Sequence, residues 1–70
     1  MKSFYEFMDI HFFLEEDGLR LGQRFCNMFI RNSWPELYYE RDLHSQISMI
    51  WEWLENHQYT EQLPQRFEEK

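Results

Sequence analysis

Apolar side chains recur along the first segment of the chain at three- and four-residue intervals, the spacing of one helix face. Phe4, Phe7, Met8, His11 and Leu14 follow it, and Ser3 with Glu6 has the form of a capping box. Tyr5, Phe12 and Phe13 lie off that stripe, so residues 4–14 are apolar on more than one side and a strand stands as the alternative to the predicted helix. Glu15-Glu16-Asp17-Gly18 interrupts the pattern and places acids before the next helix, where its dipole favours negative charge. Leu19, Gly22, Cys26, Phe29 and Ile30 then form a second face, widened by Phe25. Gly22 costs about 1 kcal/mol relative to alanine inside a helix. Its presence implies close approach by a neighbour, with an aromatic ring of the first segment expected there.

Asn32-Ser33-Trp34-Pro35 ends the second helix, because the residue before a proline disfavours helical backbone. Ser33 and Glu36 repeat the capping-box spacing, and Pro35 suits a first helical turn. A short helical turn or linker is therefore expected around residues 34–41. Asp42 is placed to cap the last helix, whose stripe is Leu43, Ile47, Ile50, Leu54 and His57, flanked by Trp51 and Trp53. Beyond Tyr59 the chain turns polar. The pattern predicts an all-α, small three-helix domain over residues 1–59, with residues 60–70 as a flexible C-terminal tail.

Composition sharpens this picture. Fourteen aromatic residues share a 70-residue chain with thirteen acids and a net charge of −6. A domain of about 60 residues buries only about 60% of its unfolded surface, so some rings stay exposed or are covered by a partner. Cys26 is the single cysteine, which excludes an intrachain disulfide and fits a reducing compartment. The N-terminus carries Glu6, Asp9 and His11 with Lys2 as its one base, unlike a signal peptide, and no apolar run reaches the ~20 residues of a membrane span. The expectation is a cytoplasmic protein.

The metal-ligating types His11, His44, His57 and Cys26 share no ligand spacing, so no metal and no cofactor are expected. There is no phosphate-cradling glycine loop, and three short helices leave little room for a catalytic pocket. A Cys–His nucleophile is weighed against the usual inert buried thiol and set aside, so no enzymatic activity is expected.

Charge is unevenly distributed. Residues 1–17 sum to −4, residues 18–34 to +3 and residues 35–70 to −5. Arg20, Arg24, Asn27 and Arg31 fall at i, i+4, i+7 and i+11, one side of a helix. That stripe suits an acidic partner or nucleic acid, although a chain of net −6 is repelled by a phosphate backbone, which makes direct nucleic-acid binding a poor fit. The acidic clusters Glu15–Asp17, Glu36–Asp42 and Glu52–Glu55 invite comparison with a nucleic-acid mimic, while acidity also serves solubility. Tryptophan, tyrosine and arginine are the types enriched at binding hot spots. The candidate partner-binding residues are accordingly Trp34, Tyr38, Tyr39, Arg20, Arg24, Arg31 and Trp53.

The run Leu19-Arg20-Leu21-Gly22-Gln23-Arg24-Phe25-Cys26-Asn27, then Trp34-Pro35-Glu36-Leu37-Tyr38-Tyr39-Glu40 and a Trp-rich helix, resembles small helical proteins of phages and mobile elements. The likeness spans residues 19–59 and carries no catalytic or ligand motif. It implies the class of host-defence inhibitors, including anti-CRISPR and anti-restriction proteins, and assigns no residue a role. The resulting expectation is a stoichiometric protein-binding inhibitor or regulator directed at a bacterial defence complex such as a CRISPR effector. The alternatives are a structural homodimer and a small nucleic-acid-binding regulator that uses the arginine stripe.

Overall fold

A computed structural model describes residues 1–65. Its elements are α1 (Lys2–Phe13), a 3₁₀ turn (Glu15–Asp17), α2 (Leu21–Phe29), a short α3 (Pro35–Tyr38) and α4 (Leu43–Asn56). The fold is all-α, with no strand among the described residues, which decides residues 4–13 in favour of helix.

α1 starts one residue before the expected cap. Met1 is its N-cap, and Ser3 lies inside the helix, buried, with its Oγ lacking a hydrogen-bond partner. No Ser3–Glu6 capping box forms, because the Ser3 N–H donates instead to the Thr60 carbonyl (3.2 Å). The returning chain thus satisfies a donor that a helix start leaves open. Leu63 packs on the core and Pro64 is buried, so the segment after Tyr59 follows the globule this far. The remainder of the expected flexible tail, residues 66–70, lies outside the described residues.

The acids after α1 do not enter the first turn of α2. They form the 3₁₀ turn, which Gly18 closes with a φ of 78°. Arg20 caps α2, and its N–H donates to Gln23 Oε1 (2.9 Å). The buried Gln46 of α4 accepts the Gly22 N–H (2.8 Å), so a side chain from another helix satisfies an open donor of α2. The close neighbour of Gly22 is Leu37 of α3, not an aromatic of α1. A Cβ at Gly22 would lie 2.6 Å from the Leu37 carbonyl oxygen.

α3 has Trp34 as its N-cap and Pro35 in its first turn, with no side-chain cap from Ser33. The proline supplies preset φ without needing a donor, which makes a capping box dispensable. The Asp42 cap of α4 forms as expected, with Asp42 Oδ2 accepting the Ser45 N–H (2.9 Å).

α2 is the central helix, packed against α1, α3 and α4. Leu21, Gly22, Arg24, Phe25, Cys26, Met28 and Phe29 are all buried, and Asn27 is its one exposed residue. Leu21 and Met28 therefore join a core that the sequence stripe assigned to fewer positions. Phe4 and Phe7 of α1, Leu37 of α3, and Ile50 and Leu54 of α4 complete it. Phe7 meets Phe25 edge-on at 5.1 Å, and Phe25 meets Phe29 at 5.1 Å and Trp53 at 5.4 Å. Each such contact adds about 0.5–1.5 kcal/mol beyond burial, which reinforces a core of this size without a disulfide.

Candidate functional site

The chain between α2 and α3 forms a ridge with a cleft on each side. Ile30 and Asn32 line both clefts. The first, about 400 Å³, is walled by Cys26, Asn27, Trp34, Pro35, Tyr38 and Tyr39. Pro35 starts α3 directly after Trp34, and the buried Leu37 pins that helix against Gly22. Tyr38 and Tyr39 therefore emerge from a fixed support, their rings edge-on at 5.1 Å. Tyr39 is 70% exposed, whereas Tyr38 and Trp34 are half-buried.

No lining residue of this cleft carries a charge at neutral pH. Burial pushes the Cys26 thiol up to about 11, so it stays protonated and acts as an apolar wall. Its Sγ lies 3.9 Å from the Trp34 carbonyl oxygen.

The second cleft, about 340 Å³, is lined by Phe29, Arg31, Trp53, His57, Tyr59 and Pro64, among others. Trp53 stacks with His57 (4.1 Å, 20°) and with Tyr59 (5.8 Å, 10°). His57 Nδ1–H donates to the Trp53 carbonyl (2.8 Å), which fixes the imidazole beside the indole. Gln58 turns the chain with a φ of 63°, and Tyr59 N–H returns to the Leu54 carbonyl (2.8 Å).

The candidate residues thus divide. Trp34, Tyr38 and Tyr39 share the first cleft, and Arg31 and Trp53 share the second, across a ridge common to both. Arg20 stands behind the first cleft, where its Nη2 donates to the Tyr38 carbonyl (3.3 Å) and ties α2 to α3.

Arg24 does not belong to this surface. It is 3% exposed, and its guanidinium pairs both nitrogens with the Asp17 carboxylate at 2.6 and 2.7 Å. It also donates to the Leu14 carbonyl (3.0 Å), and its Nε–H donates to His11 Nδ1 (3.0 Å). Packing of α2 against three other helices buries Arg24 and so takes it out of the arginine stripe, whose Arg20 is half-buried and Arg31 exposed.

The Arg24 hydrogen bonds and the Leu19 N–H hold the Asp17 carboxyl down to about 2. His11 is shifted below its ordinary value by burial first and by the Arg24 charge second. Its Nδ1 must keep a lone pair to accept from Arg24, so the ring is neutral in this arrangement.

Other rings are more exposed than the cleft residues. Phe13 is 86% exposed, Phe12 61% and Tyr5 60%. Phe12 and Phe13, which lie off the predicted stripe, both face outward. Their off-stripe positions in α1 were the available signal. Among the described residues there is no group of three or more His, Cys, Asp or Glu arranged to hold a metal, and no helix long and apolar enough to cross a membrane. No family matches the chain, and no curated protein or solved structure is detectably similar to it.

Proposed function

We propose that this chain acts by stoichiometric protein binding, as an inhibitor or regulator of a larger protein assembly, with the ridge and its two aromatic clefts as the contact surface. One observation carries the reading. Trp34, Tyr38 and Tyr39 converge on an uncharged cleft at the surface while Leu37, beneath them, is fully buried. Rigid aromatic anchors around a desolvated pocket are what dominates binding energy at protein interfaces. Such anchors lose little conformational freedom on association, which favours affinity. The choice of target class, a bacterial defence nuclease complex, rests only on the likeness of residues 19–59 to small helical proteins of phages and mobile elements, a likeness that no family, curated protein or solved structure supports.

The test is affinity capture from a bacterial lysate with the wild-type chain and the Trp34→Ala/Tyr39→Ala variant side by side. A host protein complex enriched by the wild type and lost with the variant is the expected result. If both chains retain the same proteins, or neither retains any, the cleft is not the contact surface.

A further inference from the structure

The exposed residues of α1 define a second surface, away from the two clefts. Tyr5, Phe12 and Phe13 occupy i, i+7 and i+8, one side of the helix, with Asp9 between them at i+4. The opposite side is committed to the core through Phe4 and Phe7. The apolar band runs about 12 Å along the helix. Its surroundings are acidic: Asp9 lies within it, Glu6 borders it, Glu15 and Glu16 follow its end, and Lys2 is the one lysine or arginine of α1. Asp17 is taken out of this field by its ion pair with Arg24.

The band is also held in place. Arg24 grips the Leu14 carbonyl and Asp17 together, so the end of α1 that bears Phe12 and Phe13 is braced by a buried guanidinium. An exposed aromatic stripe on a braced helix, ringed by acids, has the chemistry of a docking face for its electrostatic complement. A second copy of the chain fits poorly, since both copies would bring the same acids to the contact.

We propose that the outer face of α1 docks a basic amphipathic helix of a partner protein. Its apolar side covers Tyr5, Phe12 and Phe13, and its lysines or arginines meet Asp9, Glu6 and Glu16. This surface is independent of the ridge and clefts.

The probe is an amphipathic helical peptide of leucine and lysine, about 18 residues long, titrated into the ¹⁵N-labelled full chain and followed by amide shifts. Matching peptides with glutamine or glutamate in place of lysine serve as controls. Shifts centred on Tyr5, Asp9, Phe12 and Phe13 are expected, with binding that weakens with salt. The glutamine peptide should bind at least about ten-fold more weakly, a difference of about 1.4 kcal/mol. Phe12→Ser/Phe13→Ser should abolish binding, Asp9→Asn/Glu16→Gln should weaken it without altering the core, and Trp34→Ala should leave it unchanged.

Shifts confined to the clefts, or equal binding of the glutamine peptide, would overturn the proposal. So would light scattering that shows a dimer converted to monomer by Phe12→Ser/Phe13→Ser, because a second copy would then be the occupant.

Discussion

Replacing Gly22 with alanine sets two effects of known sign against each other. Alanine is the better helix former by about 1 kcal/mol, so at an exposed helix position the substitution stabilises. At this position the new Cβ would lie 2.6 Å from the Leu37 carbonyl oxygen and 2.9 Å from Leu37 Cδ1. The first of these atoms is backbone and cannot rotate away. Leu37 is fully buried, so relief requires moving α3 off α2. Overpacking of this kind costs about 1–3 kcal/mol. The same shift strains the Gly22 N–H bond to Gln46, itself worth about 1 kcal/mol. The net expectation is destabilisation of about 1–2 kcal/mol, because the clash and the strained bond together exceed the gain in propensity. For a domain this small that lowers Tm by roughly 5–15 °C. Thermal and urea unfolding followed by circular dichroism measure it. A Tm that rises by the amount expected for an exposed helical glycine would refute the close approach of α3 and, with it, the rigid support assigned to Tyr38 and Tyr39.

Gly18→Ala should destabilise by about 1 kcal/mol through its left-handed backbone alone, since no atom lies within 4 Å of the added Cβ, and Gly18→Asn should recover part of the loss. Gln46→Leu leaves the buried Gly22 N–H without an acceptor and should lower stability by about 1–3 kcal/mol in urea titrations. Protonation of His11 is disfavoured in the folded chain, so its contribution is present above the unfolded value of 6.5 and is lost as pH falls below it. Tm should therefore fall as pH drops below about 6.5, and His11→Gln should flatten that slope. Asp17 has a folded value of about 2 against 3.8 ordinarily, so its contribution is lost later, as pH falls from about 4 towards 2, and Asp17→Asn should remove that limb. The Cys26 thiol, raised to about 11, should react with a thiol reagent at pH 8 far more slowly than the unfolded chain does.

The helices were legible in the sequence where a local rule decides the outcome. Asp42 caps α4 because the acceptor and the open donor sit three residues apart, and the spacing alone states this. Pro35 marks the start of α3 for an equally local reason. Ser3 misled because its donor is satisfied by Thr60, a residue distant in sequence that no local pattern reveals. Gly22 announced a close contact but not its source, since only the tertiary path brings Leu37 there.

The same limit applies to the arginines. An i, i+4, i+11 spacing places Arg20, Arg24 and Arg31 on one side of a helix, but says nothing of whether that side meets solvent or another helix. Arg24 meets Asp17, His11 and Leu14, whereas Arg31 lines a cleft. Trp34, Tyr38 and Tyr39 were easier to place, because adjacent rings beside a proline cannot all turn inward. Phe12 and Phe13 were harder, because a first segment apolar on several sides does not say which side the core takes.

Binding through the ridge and its clefts is tested most directly by a photo-crosslinking residue placed in turn at Tyr39 and at the exposed Ser48, with the chain expressed in a bacterial host. The account predicts a discrete host-protein adduct from position 39, of one mass and at one-to-one stoichiometry, and none from position 48. Adducts of equal yield from both positions, or none from position 39, would contradict it.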